Sequence, residues 1–173
     1  MSELYFPDQN QKITDAEQIT RILASRGLTF SRWEAKALLT NDDSPETILA
    51  AYQHEVKPFM EKHGFLAADV INVHPETPNL EAIRHKFLQE HVHTEDEVRF
   101  FVDGQGEFWL HFADGVVASL MCYRNDFIAI PANTKHWFDL APAYHCKAIR
   151  IFTNPEGWVA QYTGSEIEKR YFK

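Results

Sequence analysis

The pattern of apolar and polar positions divides the chain into a helical first part and a β-rich second part. From residue 99 onward, short apolar or alternating runs are separated by turn-forming pairs such as Asp114-Gly115. Alternation with a period of two is typical of strands with one buried face, and an Asp-Gly pair favours a hairpin. The pattern therefore predicts a small β-sandwich or barrel, with strands at Ala68 to His74, Arg99 to Val102, Glu107 to Phe112, Val116 to Met121, Phe127 to Ile130 and Ala148 to Phe152.

The first helix is predicted from a capping pattern and from helical spacing. Thr14 fits an N-cap, Glu17 is placed to reach back to it, and Gly27 is expected to end the helix.

Residues 1–12 are expected to form a short edge strand or arm, and residues 28–34 a short extended piece. The polar residues from Gly164 onward are expected to form a tail.

Two further helices are predicted before the β-rich second part of the chain. Ser44 fits an N-cap and Pro45 the first helical position of the second helix, which Gly64 is expected to end. Pro58 lies inside this helix and is expected to kink or split it, because proline lacks the amide hydrogen. The third helix is predicted over Leu80 to Leu88.

The composition indicates an acidic globular protein. The 173 residues are 45% hydrophobic and carry a formal net charge of −8 with a pI near 5.5. We expect one domain over 1–173, with a helical part of about 1–67 and a barrel of about 68–160. The negative charge and the lack of a basic cluster argue against nucleic acid or an anionic membrane as a partner.

The cysteines and the apolar runs bear on the cellular compartment. Cys122 and Cys146 lack the spacing of a metal finger, and we interpret them as reduced thiols, with a single disulfide as the less favoured alternative. The first residues lack a signal-peptide pattern, and no apolar run approaches the roughly 20 residues that span a bilayer. These features predict a cytoplasmic protein.

The segment from Glu90 to Phe101 carries the densest candidate chemistry. In an extended chain His91, His93, Glu97 and Arg99 share one parity and therefore one face. Two imidazoles and a carboxylate on one face are ligands that zinc, iron, nickel or manganese accept. His136, on a later strand, is the best candidate for a fourth ligand.

Such a ligand set predicts an open site rather than a structural one. Three histidines and one carboxylate leave two positions of an octahedral ion for a bidentate substrate, and sulfur ligands are missing from the set. Gly104 is expected to let the first hairpin turn back beneath the ligands. Pro131 and Asn133 are expected to shape the turn before His136, because asparagine tolerates a left-handed backbone.

These motifs resemble the two motifs of the cupin barrel, although His85 and Asn133 stand where cupins usually have glycines. Three longer segments are similar to the acireductone dioxygenase family: Phe87 to Val102, Pro131 to Asp139 and Ile149 to Ala160. The resemblance covers nearly the whole chain and is weaker before residue 68. It implies a mainly β fold, a cupin-type β-barrel (double-stranded β-helix) with the N-terminal helices packed outside.

The resemblance also implies an activity in methionine salvage. Members of that family oxidise the acireductone 1,2-dihydroxy-3-keto-5-methylthiopentene with O2. With Fe(II) the products are 4-methylthio-2-oxobutanoate and formate, and with Ni(II) they are methylthiopropanoate, formate and carbon monoxide. The expected cofactor is one Fe(II) or Ni(II) per chain, the expected partners are the small-molecule acireductone and O2, and a monomer is the expected state.

The resemblance assigns roles to individual residues. It implies that the metal ligands are His91, His93, Glu97 and His136, and that Arg99 helps to generate the substrate dianion. The alternative for Arg99 is an ion pair with Glu95 or Asp96. Glu90 and Asp96 match positions implicated in metal incorporation and conformational relay, which hydrogen bonds to the ligand imidazoles would explain. Arg150 is either a second anion contact or the partner of a buried carboxylate.

Two other functions stay open on the sequence alone. One is another metal-dependent cupin activity, such as an isomerase or a diol oxygenase. The other is a non-catalytic cupin that binds metal or a ligand, which tightly bound zinc without oxygen consumption would favour.

Overall fold

Antiparallel strands dominate the fold, which a computed structural model describes for residues 1–154 and 158–172. Three α-helices lie within these ranges: α1 (Ala16–Ser25), α2 (Pro45–His63) and α3 (Leu80–Leu88). The strands are β1 (Glu3–Phe6), β2 (Gln11–Ile13), β3 (Thr29–Arg32), β4 (Ala67–Val73), β5 (His91–Val92), β6 (Glu97–His111), β7 (Val117–Tyr123), β8 (Asp126–Ile130), β9 (Lys135–Asp139), β10 (Cys146–Phe152) and β11 (Gln161–Tyr162).

The long strand β6 joins two antiparallel sheets. Its first half pairs with β8 and β10, and its second half pairs with β7 and β9. The larger sheet has the order β2-β1-β7-β6-β9-β5-β11, and the smaller sheet has the order β4-β10-β6-β8-β3. Inward side chains of both sheets form one core, which includes Phe108, Ile128 and Ala148. The predicted mainly β cupin-type barrel is confirmed.

The helices cover the barrel from outside, as predicted. Ile48, Tyr52 and Val56 of α2 are buried against the outer face of the smaller sheet, where Phe100 and Ile149 project. Packing of such apolar stripes on a sheet supplies most of the stability of short helices. No helix in the described part of the chain combines the length and the apolar character that crossing a membrane requires.

One detail of the helix predictions is wrong. The N-cap of α1 is Asp15 rather than Thr14, because the Asp15 carboxylate accepts the amide hydrogen of Gln18 at 2.7 Å. Pro58 does not split α2, one of the two outcomes expected there, because the helix runs as one element from Pro45 to His63. The predicted cap at Ser44 and the end at Gly64, whose φ is 75°, are confirmed.

The hairpin turn predicted at Gly104 is also wrong, because β6 continues through this residue as one strand. Gly104 has a φ of 70°, and beside it the pairing of β10 shifts register between Lys147 and Ala148. A left-handed residue of this kind makes a bulge that bends a strand. The glycine therefore lets β6 pass from one sheet to the other, while the hairpin predicted at Asp114-Gly115 joins β6 to β7.

Replacing Gly104 with alanine is expected to destabilise the protein by about 3 kcal/mol or more. The new Cβ would lie 2.1 Å from the backbone oxygen of His145 and would occupy a left-handed conformation. Urea unfolding measures the effect. Gly64→Ala is the matched control, because its φ is also positive but nothing lies within 4 Å of the added atom. Equal losses in the two variants would contradict the steric part of the argument.

The two cysteines are as predicted, whereas the C-terminal residues are not. Cys122 and Cys146 are both buried free thiols, and burial raises the pKa of Cys146 to about 11. The predicted polar tail is wrong, because Tyr171 packs on Trp109 and Glu168 is buried in a short 3-10 helix. Residues 155–157, within the C-terminal segment that carried the family resemblance, lie outside the described residues.

Candidate metal centre

Three imidazoles meet inside one end of the barrel. His91 opens β5 and lies directly opposite His136 of β9, while His93 follows the end of β5. The ring nitrogens that these residues offer all lie within 4.8 Å of one another. Glu97, the first residue of β6, points its carboxylate at the same place. All four side chains are at least nine-tenths buried, so ordered partners and not bulk water must satisfy them.

These residues converge by a different path from the predicted one. The segment from His91 to Glu97 is not one extended strand, because the chain bends at residues 94 and 95. Two hydrogen bonds hold the bend to the turn before β9: the Asn133 amide donates to the His93 carbonyl, and the Ala132 amide donates to the Asp96 carboxylate, both at 2.8 Å. Asn133 has the predicted left-handed backbone, with a φ of 63°. The two ligand motifs are therefore fastened to each other.

Backbone carbonyls orient each imidazole. The Nδ1 atoms of His91, His93 and His136 lie 2.7, 3.0 and 2.8 Å from the carbonyl oxygens of residues 89, 159 and 134. A carbonyl only accepts, so each Nδ1 carries the hydrogen when the ring is neutral. That tautomer leaves the lone pair on Nε2, which turns toward the site. Within the described residues, neither Glu90 nor Asp96 hydrogen-bonds to the imidazole of His91, His93 or His136, as was expected of them: Asp96 accepts from the Ala132 amide, and Glu90 contacts His111 instead.

The carboxylate of Glu97 lies at the centre of the site's charges. Its Oε2 is 3.1 Å from Nε2 of His93 and 2.9 Å from Nε2 of His136. Burial alone would raise the pKa of Glu97, but the Arg99 cation and the contacts with His136 and His93 hold it well below its usual range. Burial and the nearby His136 lower the pKa of His91 to about 4. The site thus offers an ionised carboxylate beside a neutral imidazole.

This arrangement fits a divalent metal ion. Ligand atoms that bind at about 2.1 Å and at right angles to each other lie about 3 Å apart, which is the spacing of Glu97 Oε2 from the two nitrogens. Nitrogen and carboxylate oxygen suit iron, nickel, manganese and zinc. The carbonyl partners of the three Nδ1 atoms are the kind of support that metal-binding histidines have.

Arg99 lies beside Glu97 and the three imidazoles and is fully buried. Its Nη2 donates to Oε1 of Glu97 at 2.7 Å, so its partner is Glu97 and not the predicted alternatives, Glu95 and Asp96. Its Nε and Nη1 have no hydrogen-bond partner in the described part of the protein. The guanidinium packs over the rings of Phe138 and Phe108, at 4.4 and 4.8 Å from their centroids. Two strong donors therefore remain available beside the site.

A pocket of about 300 Å³ opens above these residues. Arg150 lines it and also forms a two-pronged ion pair with Asp69, so it does pair with a carboxylate as one of its two predicted roles required, but the Asp69 side chain is 46% exposed and the pair is not buried. Trp158 covers one side, with its indole N–H donating to the Asp96 carbonyl at 3.0 Å. Apolar side chains form much of the wall: Phe87, Phe138, Ala160 and Tyr162.

A hydrogen-bonded cluster around the buried Glu90 fastens the C-terminal segment over the pocket. The carboxylate accepts hydrogen bonds from Thr163 and Ser165 at 2.6 and 2.7 Å and contacts Nδ1 of His111 at 2.6 Å. Burial alone would raise the pKa of Glu90, but the hydroxyl groups of Thr163 and Ser165 lower it overall. Sequence reasoning missed these partners and Tyr162, which stands 6.0 Å from the His91 ring. No local pattern signals them.

Replacing Thr163 with valine is expected to loosen the C-terminal segment. The variant keeps the shape of the side chain but leaves the buried Glu90 carboxylate short of a donor, at a cost of about 1–2 kcal/mol. Hydrogen exchange should report faster exchange of the Tyr162 and Gln161 amides. Thr163→Ser, which keeps the hydroxyl, is the control. Unchanged exchange in the valine variant would show that the cluster does not hold the segment.

The barrel and its three-histidine pocket define a metal-site protein of the cupin class. The sequence profile of the ARD/ARD' family matches residues 5–160, which is most of the chain. The chain belongs to the ARD/ARD' family.

Named relatives agree with this assignment. An acireductone dioxygenase of Picosynechococcus sp. is 47% identical over 171 residues, covering 99% of this chain and 97% of its own. One of Klebsiella pneumoniae is 48% identical over 158 residues, covering 91% and 87%. A solved acireductone dioxygenase from Bacillus anthracis with a cadmium ion in its active centre has a TM-score of 0.86 at 33% identity, covering 94% of this chain and 98% of that one. The predicted family and its enzyme class, a dioxygenase among the oxidoreductases, are confirmed.

Proposed function

We propose that this chain cleaves acireductone with O2 while holding one Fe(II) or Ni(II) ion through His91, His93, Glu97 and His136. The observation that carries the proposal is the group of buried nitrogen and carboxylate ligands on the floor of a pocket, with a half-satisfied arginine beside it. When bound, such an ion supplies a Lewis acid and a template for the two oxygens of an enediolate.

Arg99 is the residue that we propose to act on the substrate's charge. Its free Nε and Nη1 hydrogens lie in a water-poor site, where an ionic hydrogen bond is stronger than in solvent. Loss of the enediol protons makes the substrate anionic, and the fixed guanidinium stabilises that anion. Arginine stays protonated, so its role is to hold the anion and not to remove the proton.

The walls of the pocket fit the other end of the substrate. The methylthio group is apolar and polarisable, and sulfur makes favourable contacts at the edges of aromatic rings. Phe87, Phe138, Trp158 and Tyr162 offer such rings. The same walls exclude water around Arg99, which strengthens its interaction with the bound anion.

Arg150 is proposed to serve mainly through its pair with Asp69. The paired guanidinium lies 5.3 Å from the Trp158 ring, so the pair supports the side wall of the pocket. We propose a similar supporting role for Asp96, which binds the turn before β9, and for Glu90, which holds the C-terminal segment.

Loading the protein separately with iron and with nickel tests the proposal. We expect stoichiometric metal, rapid O2 uptake on acireductone, and products that change with the ion: the 2-oxo acid and formate for iron, and methylthiopropanoate, formate and carbon monoxide for nickel. Oxygen electrode traces and product chromatography measure both. Bound metal without O2 uptake would contradict the dioxygenase. Uptake with identical products would contradict the dependence on the metal.

A further inference from the structure

A second cavity, of about 450 Å³, lies on the outer face of the larger sheet. Glu107 and Trp109 of β6 line it, together with Tyr5 of β1 and Tyr171 of the C-terminal segment. None of its lining residues belongs to the pocket above the metal-binding side chains. The volume falls in the range of small-molecule sites.

Strand β6 places a carboxylate and an aromatic ring next to each other in this cavity. Glu107 and Trp109 are two residues apart on β6, so both point outward from the sheet. The Trp109 ring stacks on Trp137, with centroids 5.5 Å apart, and Tyr171 packs 5.3 Å from Trp109. The cavity therefore has a wall of aromatic rings beside a carboxylate.

The charges around the cavity leave one carboxylate without a cation. Arg84 and Asp139 satisfy each other through two hydrogen bonds, at 2.7 and 2.9 Å. Glu3 pairs with Lys12 at 2.9 Å. The Glu107 carboxylate interacts with the side chains of its sheet neighbours Ser119 and Trp109, and no lysine or arginine of residues 1–154 and 158–172 pairs with it. The lining as a whole carries one excess negative charge.

Burial also disfavours the charged form of the Glu107 carboxyl group. Removal from water is the main cause that raises the pKa of Glu107, and the nearby carboxylates of Asp139 and Glu3 raise it further. A cation placed in the cavity would relieve both the burial and the repulsion. An anion would meet an arginine that is already engaged and a carboxylate that repels it.

We propose that this cavity binds a small alkylammonium cation. The positive charge meets the Glu107 carboxylate, and the methyl or methylene groups lie on the rings of Tyr5, Trp109 and Tyr171. Aromatic faces attract such cations through their quadrupoles, and a neighbouring carboxylate supplies the opposite charge. The site is independent of the dioxygenase reaction and of the metal.

Choline and its neutral isostere 3,3-dimethylbutanol test the proposal on the metal-loaded protein. Isothermal calorimetry and tryptophan fluorescence should show saturable binding of choline, with the alcohol bound about tenfold more weakly. Glu107→Gln should weaken choline binding by about the same factor while leaving the alcohol unaffected. The matched control is Glu61→Gln, which removes a carboxylate of α2 that pairs with Lys57 outside the cavity and should leave choline binding unchanged.

Three results would overturn the proposal: no saturable choline binding, equal binding of choline and the alcohol, or unchanged choline binding in Glu107→Gln. If Glu107→Gln does not fold, Tyr171→Leu replaces it. That change removes an aromatic wall at the C-terminal edge of the cavity and should also weaken choline binding. Unchanged binding in Tyr171→Leu would equally overturn it.

Discussion

Replacing His93 with alanine is expected to lower metal affinity by more than about 100-fold and to abolish O2 uptake with acireductone. The change removes one of the three imidazoles and the nitrogen that lies 3.1 Å from Glu97 Oε2. Binding then depends on an incomplete ligand set around a carboxylate that still has to be buried. Elemental analysis after dialysis measures the retained metal, and an oxygen electrode measures the activity.

The barrel itself should survive this substitution. His93 lies after the end of β5 and does not belong to either apolar cluster of the core. Circular dichroism should therefore show native strand content. His85→Ala is the control, because His85 is exposed on α3 and belongs to no metal-binding group. Stoichiometric metal with full activity in His93→Ala would remove this residue from the proposed ligand set.

The strand predictions succeeded where a short apolar run lies between polar, turn-forming residues. The strands Val117–Tyr123 and Cys146–Phe152 differ from their predicted bounds by at most two residues at either end. The prediction failed at Gly104, because a glycine between two strands and a glycine at a bulge inside one strand leave the same trace in the sequence. The difference depends on β10, which lies about forty residues further along the chain.

In the candidate site, too, local sequence patterns predicted some features, and contacts between distant parts of the chain determine the others. The residue types and spacing of the two histidine motifs pointed to four side chains that do meet in the structure, although the extended segment assumed between His93 and Glu97 is a bend. The partners of Glu90 were not predictable from the sequence. Thr163 lies 73 positions away, and the pairing of β11 with β5 brings it next to Glu90. Such contacts are set by the fold, and no short-range pattern encodes them.

Replacing Arg99 with alanine is expected to leave the metal bound and to lower kcat/KM by about 100-fold or more. The substitution removes the free Nε and Nη1 donors that we propose to stabilise the substrate anion. Metal binding should persist, because Arg99 contacts the ligand Glu97 through Oε1, while Oε2 faces the imidazoles of His93 and His136. Elemental analysis and steady-state O2 uptake, measured on the same preparation, separate the two effects.

Arg99→Lys distinguishes charge from geometry in this role. Lysine keeps the positive charge but lacks the planar fork that holds Glu97 with one nitrogen and leaves other donors free. We therefore expect a kcat/KM between those of the wild type and Arg99→Ala, with the larger loss in kcat because the anion forms during turnover. Normal turnover in Arg99→Ala with full metal would remove Arg99 from the mechanism. Equal losses in the two variants would show that the fork, and not the charge alone, makes the buried cation effective.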